Sequence, residues 1–396
     1  MPNRIRGRAA TVSLGVRRLR VAVVAPIMVR HDAISLSARD AVRSLAADPR
    51  FEVQHLGCVC DFPDIVHRPC GDIADLLLDP FYQTADAAIF HFGIHHSLFD
   101  ALLAGGPPVR VVRFHNVTPM RFVAPAEMPV IERSLRQIEI LRNADEIWAD
   151  SPTNERDLLD RGFDPSRIRV IPLVVEDPDV ATLAGKPAAP VRALYIGRIA
   201  ASKGLHDLIL AAARTGLPHG VLQVTIAGNT AWSDPGYLRK LHDLIASHEL
   251  ARVVHFVGTV DDSDRERLLH DAHILVVPSY HEGFCRPVAE GLRAGCVPLV
   301  YDAYNLPRIA GGLGRVTPTG DIGRLAVALD SLTRELPPAL ERPDEPLLSL
   351  DRGRTSITEF SSLALRHVAG FAFDAVSAEI RERLLRLAVN GKCQAG

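Results

Sequence analysis

The sequence predicts an α/β protein built from two Rossmann-like, doubly wound domains facing a cleft. Three observations carry that expectation. Short runs rich in valine and isoleucine alternate with segments of helical spacing along nearly the whole chain, the pattern of mostly parallel sheets. At 396 residues the chain is too long for one ordinary core. The alternation breaks once, at 174–190 (VVEDPDVATLAGKPAAP), where prolines, small residues and acids read as a linker.

The first series opens with RLRVAVVAP (18–26), an apolar strand closed by proline. A helical segment, ISLSARDAVRSLAADP (34–49), follows and stops before Pro49. Further strands are FEVQHLG (51–57), ADAAIFHFG (85–93), VRVVRFHN (109–116), ADEIWAD (144–150) and SRIRVIP (166–172), with helices at 130–142 and 152–161. The second series has strands VRALYIG (191–197), VLQVTIAG (221–228), RVVHFVG (252–258), AHILVVP (272–278) and CVPLVY (296–301). Its helices fall near 204–214, 235–247, 263–271 and 288–294. Beyond 335 the chain is proline-rich, then helical again, with apolar residues at helix spacing over 361–389. The expected division is a basic disordered arm at 1–19, a first domain at 20–173, the linker at 174–190, a second domain at 191–350, and C-terminal helices at 351–396 crossing back to the first domain.

Composition narrows the function classes. Hydrophobic residues at 47% and charged residues at 23% fit a globular protein. A net charge of −2 argues against nucleic acid as a partner. No apolar run reaches the length of a membrane span. Arg4, Arg6, Arg8, Arg17, Arg18 and Arg20 make the start of the chain basic, without the apolar stretch of a secretory signal. A cytoplasmic location follows, with peripheral contact to anionic membrane as a second reading of the arm. The six cysteines are then expected as reduced thiols. Cys58, Cys60, His67 and Cys70 invite a zinc reading, but C-x-C is not a common structural-site spacing, and Pro63 and Pro69 suggest an ordinary loop. No metal and no cofactor are expected.

Chemistry concentrates in two segments of the second domain. In GRIAASKGLHDLI, a strand end at Gly197 is followed by Arg198, Lys203 and a glycine before a helix, which together make an anion site. In SYHEGFCRPVAEGLRAGC, two glutamates, Glu282 and Glu290, stand eight apart around a loop and a helix start, with Glu290 expected in the first turn. Amides near Gly283, Phe284, Cys285 and Arg286 form a second anion locus, and each carboxylate can accept hydrogen bonds from vicinal hydroxyls. A phosphate flanked by two polyols describes a nucleotide sugar. Neither a P-loop nor a G-x-G-x-x-G fingerprint is present.

These segments resemble the E-x7-E region and the G-R-x4-K-G segment of retaining GT-B glycosyltransferases of family 4. FHFGIHH, VRFHNVTP and SPTNERDLLDRGF are similar to N-terminal segments of a bacterial subgroup with an H-N-I/V-T-P motif. The resemblance runs from about residue 20 to the C-terminus. It implies transfer of a sugar, with retention of anomeric configuration, from a nucleotide-diphospho-sugar (UDP, GDP or dTDP) to a saccharide, lipid-linked or small-molecule acceptor. Arg198 and Lys203 would bind the diphosphate without a metal, Glu282 the donor sugar, Glu290 the ribose, and His115 the transferred sugar. Arg30, His31, Asp32, His91, His95 and His96 are candidates for the acceptor or sugar side. The segment PIMVRHDAIS (26–35) departs from the family in lacking glycine, and Arg286 stands where an apolar residue is common. Arg286 is therefore either a third phosphate contact or a solvated charge. The Asp-x-Asp within EDPD (176–179) is the metal pattern of a different glycosyltransferase architecture and is read here as a helix cap at Asp179. A sugar phosphorylase, a nucleotide-sugar epimerase and a silent sugar-nucleotide-binding subunit are the alternatives.

Overall fold

The computed structural model describes residues 17–30, 32–176, 182–230 and 233–394, with backbone alone over 390–394. Most of the basic arm, His31, the Asp-x-Asp residues and Cys393 side chain lie outside the described residues.

Among the described residues of the first half nine strands form: β1 (Leu19–Val24), β2 (Ile27–Met28), β3 (Phe51–Gly57), β4 (Val59–Cys60), β5 (His67–Pro69), β6 (Ala87–Phe92), β7 (Val109–Phe114), β8 (Glu146–Ala149) and β9 (Ile168–Val170). Seven of them make a parallel sheet in the order β5-β3-β1-β6-β7-β8-β9, and β2 pairs with β4 beside it. Helices α1 (Ala33–Ala46), α2 (Ile73–Leu78), α3 (Pro80–Thr84), α4 (Met128–Gln137) and α5 (Pro152–Asp160) cover its faces. The second half holds β10 (Val191–Ile196), β11 (Leu222–Ala227), β12 (Val254–Gly258), β13 (Ile274–Val277), β14 (Val297–Tyr301) and β15 (Arg315–Thr317), a parallel sheet in the order β12-β11-β10-β13-β14-β15. Its helices are α6 (Leu205–Thr215), α7 (Pro235–Ser247), α8 (Asp262–Asp271), α9 (Arg286–Arg293), α10 (Leu306–Ala310) and α11 (Ile322–Glu341). A small antiparallel pair, β16 (Leu348–Leu350) and β17 (Gly353–Thr355), precedes α12 (Ile357–Val368) and α13 (Phe373–Gln394).

The expected two-domain α/β fold is the observed one. Strands covered on both faces carry apolar side chains at every position, and β6, β13 and β14 are buried throughout. Each sheet has a switch point, between β1 and β6 in the first and between β10 and β13 in the second. Ligands in such sheets bind beyond the carboxyl ends of the strands at that point.

Three local expectations are corrected. The proline-rich stretch is not a break: α11 continues through Pro337 and Pro338. Two lost hydrogen bonds near its last turn are offset by burial of Leu336 and Ala339. Of the C-terminal helices expected to cross back, only the second does so; the two are parted by a tight turn at Ala369–Phe371. α12 buries Ile357, Phe360, Ala364 and Val368 in the core of the second domain. α13 buries Val376, Ile380, Leu384 and Ala388 in the core of the first, against α1. The third correction concerns α9, which begins at Arg286, so Pro287 is its second residue and Glu290 lies in its second turn.

Candidate active site

The strand-end segments after β10 and β13 are fastened together. Tyr280 N–H donates to Ser202 O at 2.8 Å. Gly204 takes a left-handed conformation with φ of 67°, and a Cβ there would stand 1.9 Å from Pro278 O. Only glycine permits that approach. The Tyr280 and Tyr301 hydroxyls both donate to the buried Asp207 carboxylate on α6, at 2.6 and 2.8 Å.

That fastening puts Lys203 Nζ 2.7 Å from Glu282 Oε1, with both side chains 15% exposed. Burial pushes the Glu282 carboxyl up, but the Lys203 charge and its hydrogen bond outweigh burial and hold it below the ordinary value. Arg198 is exposed beside this pair, and its carbonyl accepts from Tyr195 Oη at 2.7 Å. Cys285, the residue before α9, sits at φ 72° and ψ 69°, a conformation that costs about 1–3 kcal/mol outside glycine. It turns the chain sharply between the Glu282 loop and the helix N-terminus, whose dipole favours an anion.

The first domain grips the same loop. Ser151 Oγ donates to Gly283 O at 2.6 Å. Asn116 Nδ2 donates to Asn154 Oδ1 at 2.9 Å, and Asn154 Nδ2 donates to Phe114 O at 3.3 Å. A Cβ on Gly283 would stand 3.2 Å from His115 O and 3.3 Å from the Asn154 amide. The histidine–asparagine motif and the serine–asparagine helix start are thus one clamp on the Glu282–Gly283 loop. The motifs were visible in the sequence; their common target was not.

His115 is enclosed. Its side chain is 3% exposed, and Nδ1 lies 2.7 Å from Asp150 Oδ2. A carboxylate only accepts, so Nδ1 carries the proton and Nε2 accepts from His91 Nδ1 at 3.1 Å. Asp150 also takes Arg113 Nε at 2.7 Å, and Arg113 Nη2 donates to Ile171 O and Pro172 O at 2.7 and 2.8 Å. The imidazole expected on the transferred sugar is therefore committed to a buried chain. His115 reaches the cleft through its carbonyl. His91 is 2% exposed, and burial, then the neighbouring His115, hold its pKa well below the ordinary value. It cannot touch an acceptor.

The remaining candidates divide. Asp32 caps α1, its Oδ2 accepting from Ser35 N at 2.8 Å and Ser35 Oγ at 2.7 Å. Arg30 is exposed and stands over the Phe62 ring at 5.8 Å. His95 is half-buried and held by its backbone N–H to Ser134 Oγ at 2.8 Å. His96 accepts from Leu98 N at 3.3 Å.

Arg286 is neither solvated nor free. It is 8% exposed, with Nη1 3.6 Å from Asp40 Oδ2 on α1 and Nε 3.7 Å from Glu290 Oε1. Burial raises the Asp40 carboxyl, against the opposing pull of Arg286 and Arg39. Arg265 on α8 pairs with the other Glu290 oxygen. The Arg286–Asp40 and Arg265–Glu290 contacts were beyond reach of the sequence, because they depend on how separate elements pack.

Residues 184–341 match the family described as glycosyl transferases group 1. Over 134 residues the chain is 36% identical to glycogen synthase of Mycobacterium tuberculosis, covering 34% of this chain and 30% of that protein. Over 161 residues it is 34% identical to GDP-mannose:cellobiosyl-diphosphopolyprenol alpha-mannosyltransferase of Xanthomonas campestris, covering 40% of each. The matches span less than half the length of these curated relatives. Among solved structures, sucrose-phosphate synthase from Thermosynechococcus elongatus superposes with a TM-score of 0.67 at 19% identity, over 94% of this chain and 100% of that one. Anabaena HepE in complex with UDP-glucose gives 0.64 at 15% identity, over 93% and 99%. The likeness to both is one of fold, two Rossmann-like domains in the GT-B arrangement.

Proposed function

We propose that the chain is a metal-independent, retaining glycosyltransferase that moves a sugar from a nucleotide-diphospho-sugar to an acceptor hydroxyl in the cleft between the domains. One observation carries the reading: Lys203 and Glu282, far apart in sequence, meet at 2.7 Å where two strand ends and the start of α9 converge. A fixed cation and a helix N-terminus suit a leaving diphosphate, and the paired carboxylate suits sugar hydroxyls. Departure of the diphosphate leaves an oxocarbenium-like sugar and concentrates negative charge on the leaving group. In this reading Arg198, Lys203 and the amides at 284–286 stabilise that charge. Preorganised donors of this kind supply the largest single share of catalysis in many enzymes. The match over 184–341 and the nucleotide-sugar names among the relatives agree with the donor class.

Glu290 takes the ribose in this reading. Its carboxylate offers about four lone-pair positions, so two arginines do not exhaust it. The enclosure of the His115 imidazole favours a second reading, a sugar-nucleotide-binding subunit without transfer activity.

Calorimetry against UDP, GDP and dTDP, then their sugar conjugates, tests binding. Nucleotide diphosphate release that requires an acceptor, with product anomers assigned by NMR, tests transfer. Binding without acceptor-dependent release selects the second reading. No binding of any of these compounds overturns both. Adding Mg2+ or Mn2+ to chelated enzyme leaves turnover unchanged; a restored rate overturns metal independence.

A further inference from the structure

Away from the cleft, the edge of the first sheet gathers a second set of chemically active side chains. His55 on β3 and His67 on β5 are register partners in a parallel pair, so their rings lie on one face. The rings stack, with centroids 4.9 Å apart and 23° between planes, and Nδ1 faces Nδ1 at 3.0 Å. Cys60 on β4 joins them: one ligand atom from each of the three lies within 4.8 Å of the others.

The surroundings orient this set. His55 Nε2 stands 2.9 Å from Ala25 O, and a carbonyl only accepts, so the ring proton is on Nε2 and the Nδ1 lone pair points at His67. A backbone carbonyl holding the far N–H of an imidazole is the usual support of a metal-ligating histidine. Glycine makes this possible, since a Cβ on Gly57 would stand 2.0 Å from Ala25 O and 2.9 Å from His55 Nε2. Met28, the register partner of Cys60, places its Sδ 4.0 Å from Cys60 Sγ. His55 is buried while Cys60 and His67 are half-buried, which leaves a route from solvent.

We propose that His55, His67 and Cys60 bind one zinc-class transition-metal ion. Imidazole and thiolate donors suit zinc and copper rather than magnesium or calcium. With metal–nitrogen bonds of about 2.0 Å and metal–sulfur bonds of about 2.3 Å, ligands of one ion stand about 3–4 Å apart, close to the present separations. Binding sends the Cys60 thiol proton to solvent, and the His67 proton, which Nδ1 carries while it donates to His55 Nδ1, moves to Nε2 by exchange with water. Three protein ligands leave a fourth position open. The zinc reading of Cys58, Cys60, His67 and Cys70 is thereby redrawn. Cys58 Sγ donates to Cys70 O at 3.2 Å and lies 3.6 Å from His96 Nε2, away from the other set. Cys58 lies in a bend before β4, so the i, i+2 alternation that would set both thiols on one face does not hold there. The ion ties β4 and β5 to β3.

The test uses untagged, full-length protein stripped by chelator. Zinc titrated by calorimetry, and by competition with a chromogenic chelator, is taken up at one equivalent. Cobalt in its place shows a thiolate-to-metal charge-transfer band. Cys60→Ser abolishes that band, and His67→Ala weakens zinc at least about tenfold. Cys58→Ser leaves both unchanged. His67 is half-buried, so its variant keeps the wild-type circular dichroism. No stoichiometric zinc uptake by the wild-type protein overturns the proposal. So does a charge-transfer band that survives Cys60→Ser or is lost in Cys58→Ser.

Discussion

Ser151 Oγ, at the start of α5 in the first domain, donates a 2.6 Å hydrogen bond to Gly283 O in the second. The same oxygen accepts from Asn154 N at 3.2 Å as the cap of α5. One hydroxyl therefore fixes a helix start and the loop that carries Glu282. Ser151→Ala removes both contacts. The expected loss is about 1–2 kcal/mol of stability and roughly tenfold in turnover, since small displacements of catalytic groups are costly. Denaturant unfolding and steady-state kinetics check this, with Ser151→Thr restoring most of both. Wild-type kinetics in the alanine variant would remove the clamp from the mechanism.

Lys203→Ala deletes the cation paired with Glu282. The expected fall in turnover is about 100–1,000-fold, the range for losing one preorganised charge stabiliser. The unfolding midpoint should fall as well, because the substitution leaves the largely buried Glu282 carboxylate without its lysine. Single-turnover assays beside thermal melts separate the two effects. A variant that folds normally and turns over normally sinks the catalytic assignment.

Glu290 and Glu282 should behave oppositely. Glu290→Gln leaves Arg265 and Arg286 facing each other without their shared carboxylate. Removing one partner from a buried ionic cluster costs about 3–5 kcal/mol. Glu282→Gln loses one paired lysine and should cost distinctly less. Parallel denaturant titrations of the two variants measure the contrast, and equal losses would contradict the network described for Arg286.

Acid should destabilise the second domain over a defined window. His273 and His281 are buried, and burial above all lowers each to about 4. Their unfolded values are near 6.5. Between those limits the unfolded chain binds more protons, so stability rises with pH. The contribution is complete above about pH 6.5 and is lost as pH falls toward 4, at about 3 kcal/mol per histidine. The Glu282 carboxyl, held below its ordinary value, adds a further loss at lower pH. Unfolding free energies from pH 7 to 4 test this, and His281→Gln should reduce the slope by about one proton, roughly 1.4 kcal/mol per pH unit.

The sheets were legible because buried parallel strands leave a plain mark. The residues of β1, β6, β13 and β14 are almost wholly apolar, and no solvent face confuses the pattern. The short pieces β2, β4 and β5 carry two or three residues each and left no periodicity to read. Their neglect hid the pairing of His55 with His67. In the cleft, the placing of Lys203 and Glu282 at two neighbouring strand ends followed from the sequence, although their direct pairing was not expected. The Asp40–Arg286 pair did not, because it depends on how one domain meets the other. The capping role of Asp32 was available from its spacing to Ser35, but the segment was read as acceptor surface instead. The left-handed Cys285 had no signal at all, since glycine is the residue that marks such positions.

The chain passes between the domains twice: once after Ile171 toward β10, and again at the turn before α13. The two passages touch, with Val175 N–H donating to Phe371 O at 2.8 Å. Two tethers side by side act like the paired knuckles of a door. They leave one easy axis of rotation and resist twisting or sliding. Any breathing of the halves should therefore open the far rim, where Arg121 meets Tyr304 at 3.1 Å, before it disturbs the side where the tethers lie.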